Sequence, residues 1–176
     1  MPQLSFKTPR DFIRYAVSQF QRNQLFFGHG NSSAFDEAVC LVLQSLHLPV
    51  DQLEPYYDAR LLEDEKALIL ARIKQRVEER IPLAYITNEA YLQGYSFYVD
   101  SRVIIPRSFI AEIILNQQLT PWIEHPELVH NALDLCTGNG SLATILADFF
   151  MMQKLLRVIF RMRHLKLRQL IVNATM

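Results

Sequence analysis

The segment from Leu133 to Leu142 reads Leu-Asp-Leu-Cys-Thr-Gly-Asn-Gly-Ser-Leu, and it constrains the fold more than any other part of the chain. It predicts a buried strand that ends in an acid, a tight glycine turn and the first turn of a helix. Proteins of the α/β class use this arrangement to build a pocket for a nucleotide-like ligand. So short a motif is weak support by itself, because an ordinary strand-turn-helix junction has the same pattern.

The residues of this motif suggest how a ligand would be held. Gly138 and Gly140 permit positive φ and let a ligand approach amides that a side chain would screen. Asp134, at the strand end, can accept hydrogen bonds from a cationic or hydroxyl-bearing ligand group. Cys136 is interpreted as a small packing residue and not as a nucleophile, because no histidine lies where a Cys-His pair could be inferred.

Composition narrows the class of protein. The 176 residues are 50% apolar, which suits one domain or two small ones. The net charge of zero hides an asymmetry, since residues 151–176 contain six basic and no acidic side chains. Two cysteines are too few for a disulfide framework or a metal site, and they favour a reducing cytoplasm. We expect no signal peptide and no membrane-spanning segment.

The first 82 residues predict a small helical domain. Capping-box patterns begin at Thr8 and Ser33, and an acid-rich start at Glu63 suits a third helix. Helical spacing of apolar residues extends the first helix to about Phe27, the second to about Leu48 and the third to Pro82.

From residue 83 the pattern changes to short aromatic and β-branched runs. Residues 84–87, 90–92 and 95–99 predict extended segments of a hairpin, so that residues 83–102 would link two domains. Residues 103–105 predict another extended run, followed by a helix that Ser108 caps. Residues 131–135 then form the strand of the glycine motif, and a helix begins at Ser141.

Four segments of the chain, read together, resemble the glutamine-specific protein methyltransferases that use S-adenosylmethionine. They occur in the order and spacing of that family, and they are Arg80–Ile86, Gly94–Asp100, Val103–Ser108 and Asp134–Gly140. The resemblance runs from about Phe12 to Phe150. Within the family, Gly28–Val39 and Leu46–Asp51 are similar to the branch that methylates ribosomal large-subunit protein L-three, and less similar to the branch that acts on release factors.

The resemblance implies an α/β fold: a small N-terminal helical domain, a β-hairpin, and the start of a Rossmann-like class I methyltransferase domain in residues 103–150. The helical domain would recognise the protein substrate. Residues Cys136 to Gly140 would hold the methionine end of S-adenosylmethionine, and Pro106 and Arg107 would lie on the rim of that pocket. Arg107 is equally compatible with a surface or salt-bridging arginine. The expected cofactor-binding residues are Asp134, Cys136, Thr137, Gly138, Asn139, Gly140, Pro106 and Arg107.

The chain departs from this family after Phe150. The family continues with a second strand whose acid grips the cofactor ribose, and later with an Asn-Pro-Pro-Tyr signature that orients the glutamine amide; neither is present. We therefore expect a truncated and inactive form, with no catalytic residue and no metal ligand in the chain.

The basic tail of residues 151–176 has three competing interpretations. It is a basic helix that contacts RNA or an anionic surface, a genuine terminal helix, or a segment translated out of frame. The third is favoured, because shifted codons permit Val-Ile-Ala-Ser-Asp-Ile-Ser, the family's expected second strand. The runner-up function is a non-catalytic protein- or RNA-binding module formed by the helical domain and the tail; no contact with DNA or a membrane is expected.

Truncation also predicts consequences for folding. The strand of the glycine motif would have two unpaired edges, and the helix after it would expose Leu142, Ile145, Leu146 and Phe149 unless the tail or a second chain shields them. We expect residues 1–120 to fold and the motif region to be poorly ordered or prone to aggregation.

Overall fold

The structure is a computed structural model that describes residues 6–28, 30–119, 122–129, 131–135 and 137–150, together with the backbone of residues 156–158. It divides into two compact units, Met1–Glu89 and Ala90–Met176. The boundary falls inside the segment predicted to link two domains. The described residues combine helices with two small sheets, so the predicted mixed α/β class is confirmed.

The first unit is helical. Its elements are α1 (Pro9–Arg22), α2 (Ala34–Ser45), a 3-10 turn (Glu54–Tyr56), α3 (Glu63–Glu78) and α4 (Leu83–Thr87). The predicted helix starts are confirmed. Local hydrogen bonds fix each of these starts. The backbone N–H of Thr8 donates to Asp11 Oδ2 at 3.1 Å, and Ser33 Oγ accepts from the backbone N–H of Asp36 at 3.1 Å.

The predicted end of α1 is wrong by five residues. The helix stops at Arg22 and Gln24 adopts a positive φ of 49°, although Leu25 and Phe27 continue the apolar spacing. These two side chains pack on the core from a loop instead. The other two helices also end before the predicted residues, α2 at Ser45 and α3 at Glu78.

A buried ion pair stabilises this loop. Arg76 Nε donates to Glu37 Oε1 at 2.6 Å, and both side chains are less than 10% exposed. Arg76 Nη2 also donates to the carbonyl oxygen of Phe26 at 2.9 Å, and Arg80 Nη2 donates to that of Asn23 at 3.0 Å. Long-range contacts of this kind decide where α1 ends, and helical spacing does not reveal them.

Apolar side chains of α1, α2 and α3 form the core of the first unit. The fully buried members are Phe12, Ile13, Ala16, Phe20, Ala38, Leu41, Val42 and Ile69. At roughly 1.5–3 kcal/mol for each large side chain, their burial is the main stabilising term of this unit.

Residues 84–87 are helical, which corrects the prediction of an extended run. Helix α4 starts directly after Pro82, whose carbonyl oxygen accepts from the amide of Tyr85 at 2.9 Å. The helix ends at Thr87, and the next residue, Asn88, has a positive φ of 58°. A run this short shows no clear periodicity, so its sequence pattern does not distinguish a strand from a buried helix.

The second unit contains the predicted hairpin. Strand β1 (Glu89–Leu92) enters this unit from the first and pairs antiparallel with β2 (Tyr95–Tyr98) through a turn at Gln93 and Gly94. Helix α5 (Phe109–Leu115) is capped by Ser108, whose Oγ accepts from the amide of Ile110 at 3.2 Å.

Residues 103–105, predicted to be an extended run, belong to none of the strands that the structure describes. Ile105 is buried while Ile104 is 79% exposed, and the amide of Val103 donates to the carbonyl oxygen of Asp100 at 3.1 Å. The remaining elements of the unit are a 3-10 turn (Pro126–Leu128), β3 (Leu133–Leu135), α6 (Ser141–Phe149) and β4 (Leu156–Val158).

Strands β3 and β4 form a parallel pair in which Leu133 lies opposite Leu156, and Leu135 opposite Val158. The prediction that β3 has two unpaired edges is therefore wrong for one edge. The prediction of a buried strand is also wrong: Leu133 and Leu135 are 55% and 61% exposed, and Asp134 between them is buried. One face of β3 is covered and the other is open. Apart from these three residues of β4, the basic tail lies outside the described residues.

Helix α6 is packed, which corrects the prediction of an exposed helix. Ile145 is fully buried in a cluster with Leu92, Ala111 and Ile114. Leu142, Leu146 and Phe149 are half-buried against the same cluster. Helix α5 and the hairpin thus replace the cover that the prediction assigned to missing strands. Tyr95 of β2 also donates a hydrogen bond to the carboxylate of Asp148, which raises the pKa of the tyrosine hydroxyl.

Candidate functional site at the glycine turn

A buried hydrogen bond closes the turn between β3 and α6. Asp134 and Thr137 are 7% and 8% exposed, and the Thr137 hydroxyl donates to Asp134 Oδ2 at 2.6 Å. A hydrogen bond to a charged group in a buried position is a strong one. Asp134 therefore holds the turn in shape with one carboxylate oxygen, a role that was not predicted from the sequence.

Both glycines of the turn need their conformational freedom. Gly138 has a φ of +57° and Gly140 a φ of +86°, values that side-chain-bearing residues rarely adopt. The amide of Gly140 donates to the carbonyl oxygen of Thr137 at 2.8 Å, and the Thr144 hydroxyl donates to that of Gly140 at 2.9 Å. The predicted tight glycine turn and the helix start at Ser141 are both confirmed.

The turn presents donor groups that have no acceptor among the described residues. Asn139 Oδ1 accepts from the amide of Ser141 at 3.1 Å, while Asn139 Nδ2 is buried and lacks a partner within the described residues. The amides of Leu142 and Ala143, in the first turn of α6, likewise have no acceptor in the described part of the chain. Free amides at a helix N-terminus favour a negatively charged ligand group.

The approach to Gly138 is open. Gly138 is exposed, and apart from its two neighbours in the chain, no described residue has a heavy atom within 4 Å of the position that a Cβ atom would occupy. A ligand can therefore come close to the backbone at this position without displacing a side chain.

The structure brings together five of the eight predicted site residues: Asp134, Thr137, Gly138, Asn139 and Gly140. Pro106 is half-buried and Arg107 is exposed. Among the described residues, no hydrogen bond or ion pair connects either of them to the glycine turn, and Arg107 forms no ion pair. Cys136 lies outside the described residues.

Cys40 is the one cysteine among the described residues, and it is half-buried. Burial raises the pKa of the Cys40 thiol to about 11, so it stays protonated near neutral pH. Within the described ranges, no group of three or more His, Cys, Asp or Glu side chains could hold a metal ion. No helix there is long and apolar enough to cross a membrane.

Comparison with known proteins places the chain in a family. A protein of Burkholderia pseudomallei named ribosomal protein uL3 glutamine methyltransferase is 57% identical over 145 residues, which are 82% of this chain and 47% of the relative. The chain belongs to the family of protein glutamine methyltransferases. Relatives of the same name from Neisseria gonorrhoeae and Bordetella pertussis are 57% and 52% identical, over 81% and 82% of this chain.

The matched segment is only part of these methyltransferases. It makes up 48% of the relatives from N. gonorrhoeae and B. pertussis, so the chain spans about half the length of the curated relatives that it matches. No family model matches the chain.

Proposed function

We propose that the chain carries the N-terminal part of an S-adenosylmethionine-dependent methyltransferase that modifies a glutamine side-chain amide in a ribosomal large-subunit protein. The observation that carries this proposal is the open glycine turn between Asp134 and Ser141, in a chain whose relatives are named for that modification. In this proposal residues 1–82 form the domain that recognises the protein substrate, residues 83–102 connect the domains, and residues 103–150 begin a Rossmann-like domain.

The residues of the turn fit the methionine end of the cofactor. Its carboxylate requires hydrogen-bond donors, and Asn139 Nδ2 and the amides of Leu142 and Ala143 are donors without an acceptor among the described residues. Gly138 leaves space for close approach. When bound, the cofactor supplies a methyl group on a positively charged sulfur. We propose that Cys136 completes this pocket and that Pro106 and Arg107 lie on its rim.

The chain's own residues support binding better than methyl transfer. An amide nitrogen is a poor nucleophile because its lone pair is delocalised into the carbonyl group, so transfer depends on groups that hold the amide in line with the methyl group. The Asn-Pro-Pro-Tyr signature that does this in the family is absent from the 176 residues. We propose that these residues alone bind the cofactor and do not methylate.

A titration with S-adenosylmethionine by isothermal calorimetry tests the site. The variant Gly138→Ala is compared with Gly94→Ala, because both glycines have positive φ and open space at the Cβ position, but only Gly138 lies in the turn. Each substitution costs about 1–2 kcal/mol of backbone strain. We expect saturable binding that weakens about tenfold or more in Gly138→Ala and is unchanged in Gly94→Ala. Equal weakening in both variants, or no binding by the unmodified chain, would overturn the assignment.

A second function is favoured by the charge of residues 151–176, which contain six basic and no acidic side chains. A non-catalytic RNA-binding module would show binding that weakens with salt and is lost when these residues are deleted. Such binding without any affinity for S-adenosylmethionine would favour the module. We also propose that the tail is out of frame, which the DNA sequence after codon 150 tests directly: an Asn-Pro-Pro-Tyr signature in another frame is expected.

A further inference from the structure

The end of helix α2 holds an arginine whose charge is not balanced by a carboxylate among the described residues. Arg72 of α3 is half-buried, and its Nη1 donates to the hydroxyl oxygen of Ser45 at 3.0 Å. The Ser45 hydroxyl itself donates to the carbonyl oxygen of Leu41 at 2.6 Å. Arg72 forms no ion pair in the described part of the chain. A neutral hydroxyl group therefore fixes the orientation of this guanidinium.

Arg76, one turn further along α3, shows the contrasting arrangement. Its guanidinium is buried and donates to the carboxylate of Glu37 at 2.6 Å, so that its charge is balanced. Burial lowers the pKa of Arg72 as well, but an arginine stays charged near neutral pH. Its guanidinium has five N–H donors, of which the bond to Ser45 uses one. Unused donors of a partly buried guanidinium favour an anionic ligand that accepts two hydrogen bonds.

The charges around this arginine favour a carboxylate over the phosphates of a nucleic acid. Residues 1–89 contain 12 acidic and 10 basic side chains, so the first unit as a whole does not attract a polyanion. An acid also lies close to the end of α2, because Gln44 Nε2 donates to Glu89 Oε2 at 3.3 Å. A single carboxylate adds one negative charge there, whereas a nucleic acid adds many.

The neighbouring residue of α2 indicates that the carboxylate belongs to a polypeptide. Gln44 Oε1 is buried and has no hydrogen-bond partner within the described residues, although such acceptors are normally paired. A polypeptide has N–H donors for this oxygen as well as carboxylates for Arg72, and a phosphate group has no such donor. Leu68 lies on the same face of α3, one turn before Arg72, and is 39% exposed, so that an apolar contact is available beside the guanidinium.

We propose that Arg72, oriented by Ser45, binds the carboxylate of an aspartate or glutamate side chain of the protein substrate. The inference rests on the proposed function, in which the helical first unit recognises a ribosomal protein. It adds the chemical group that is recognised and the side chain that recognises it. The segment directly after Ser45, Leu46–Asp51, is one of the two whose sequence resembles the branch of the family that acts on a ribosomal protein.

Binding of purified ribosomal protein uL3 to the immobilised full chain, measured by biolayer interferometry, tests the role of Arg72. We expect saturable binding that weakens about tenfold or more in Arg72→Gln. Arg72→Lys keeps the charge but not the planar fork, and it should recover only part of the affinity. The matched control is Lys74→Gln, which removes the same charge from an exposed side chain of the same helix and should change binding less than about twofold.

A double-mutant cycle identifies the carboxylate and separates recognition from a structural role. Each aspartate and glutamate of the ribosomal protein is changed in turn to its amide. One of these changes should reproduce the loss seen in Arg72→Gln, and the two changes together should weaken binding no more than either alone. If no carboxylate is coupled to Arg72, the inference is overturned, because the arginine then acts only by stabilising the C-terminus of α2.

The remaining outcomes separate this inference from the proposed function. Equal weakening in Arg72→Gln and Lys74→Gln overturns the inference, and so does RNA binding that Arg72→Gln weakens while uL3 binding is unchanged. If the chain binds S-adenosylmethionine and uL3 without any dependence on Arg72, the proposed function stands and the inference fails. Coupling of Arg72 to a carboxylate of uL3, in a chain that does not bind S-adenosylmethionine, supports the inference and refutes the proposed methyl-donor site.

Discussion

Removing the Thr137 hydroxyl should loosen the glycine turn. In Thr137→Val the side chain keeps its branched shape but no longer donates to Asp134 Oδ2, a 2.6 Å hydrogen bond between residues that are both less than 10% exposed. A hydrogen bond to a charged group contributes about 1.5–3 kcal/mol. In Thr137→Ser the hydroxyl remains and only a methyl group is lost, which costs about 0.8 kcal/mol.

Amide hydrogen exchange at Gly140 measures this effect directly, because its N–H donates to the carbonyl oxygen of Thr137 within the turn. A loss of about 1.5–3 kcal/mol predicts exchange roughly 10- to 150-fold faster in Thr137→Val, and at most about fourfold faster in Thr137→Ser. Similar rates in both variants would refute the view that the bond between Thr137 and Asp134 holds the turn in shape.

Two further predictions concern charged groups. Glu37→Gln removes the carboxylate that pairs with the buried guanidinium of Arg76, and it should lower the free energy of unfolding by about 3–5 kcal/mol. Asp58→Asn, which breaks the exposed pair with Arg10, should lower it by about 1 kcal/mol or less. Urea titrations followed by circular dichroism measure both values, and equal losses would contradict this prediction. Hydrogen bonds from Arg102 lower the pKa of Asp100 from 3.8 to about 2, so the stability they provide is present above pH 4 and lost as the pH falls towards 2. Carboxyl NMR titration should show this midpoint rising towards 3.8 in Arg102→Gln, and an unchanged midpoint would refute the cause.

Helix starts could be predicted because their signals are local. Thr8, Ser33 and Ser108 each lie next to the helix that begins after them, and the partner group in each case is two or three residues away. The glycine turn was predictable for the same reason, since positive φ at Gly138 and Gly140 follows from residue type.

Helix ends and the short apolar runs could not be predicted, because distant contacts decide them. The loop after α1 is held by Arg76, about fifty residues further along the chain, and no local pattern indicates this. The run at residues 84–87 is too short for its periodicity to distinguish a strand from a helix.

At the candidate site, the sequence predicts the glycine turn but not the hydrogen bonds between its side chains. The hydroxyl of Thr137 and the carboxylate of Asp134, three residues apart, meet in a hydrogen bond that the residue types alone do not indicate. The cover of α6 by the hairpin and α5 was also missed, because it depends on how the elements of the second unit pack together.

The central claim is that the turn between Asp134 and Ser141 is a binding site for S-adenosylmethionine. An amide-resolved NMR titration of the isotope-labelled chain with this cofactor tests it most directly. We predict that the largest shifts occur at Gly138, Asn139 and Leu142 and saturate together. Shifts confined to the helical first unit, or the absence of any saturable shift at these amides, would contradict the claim.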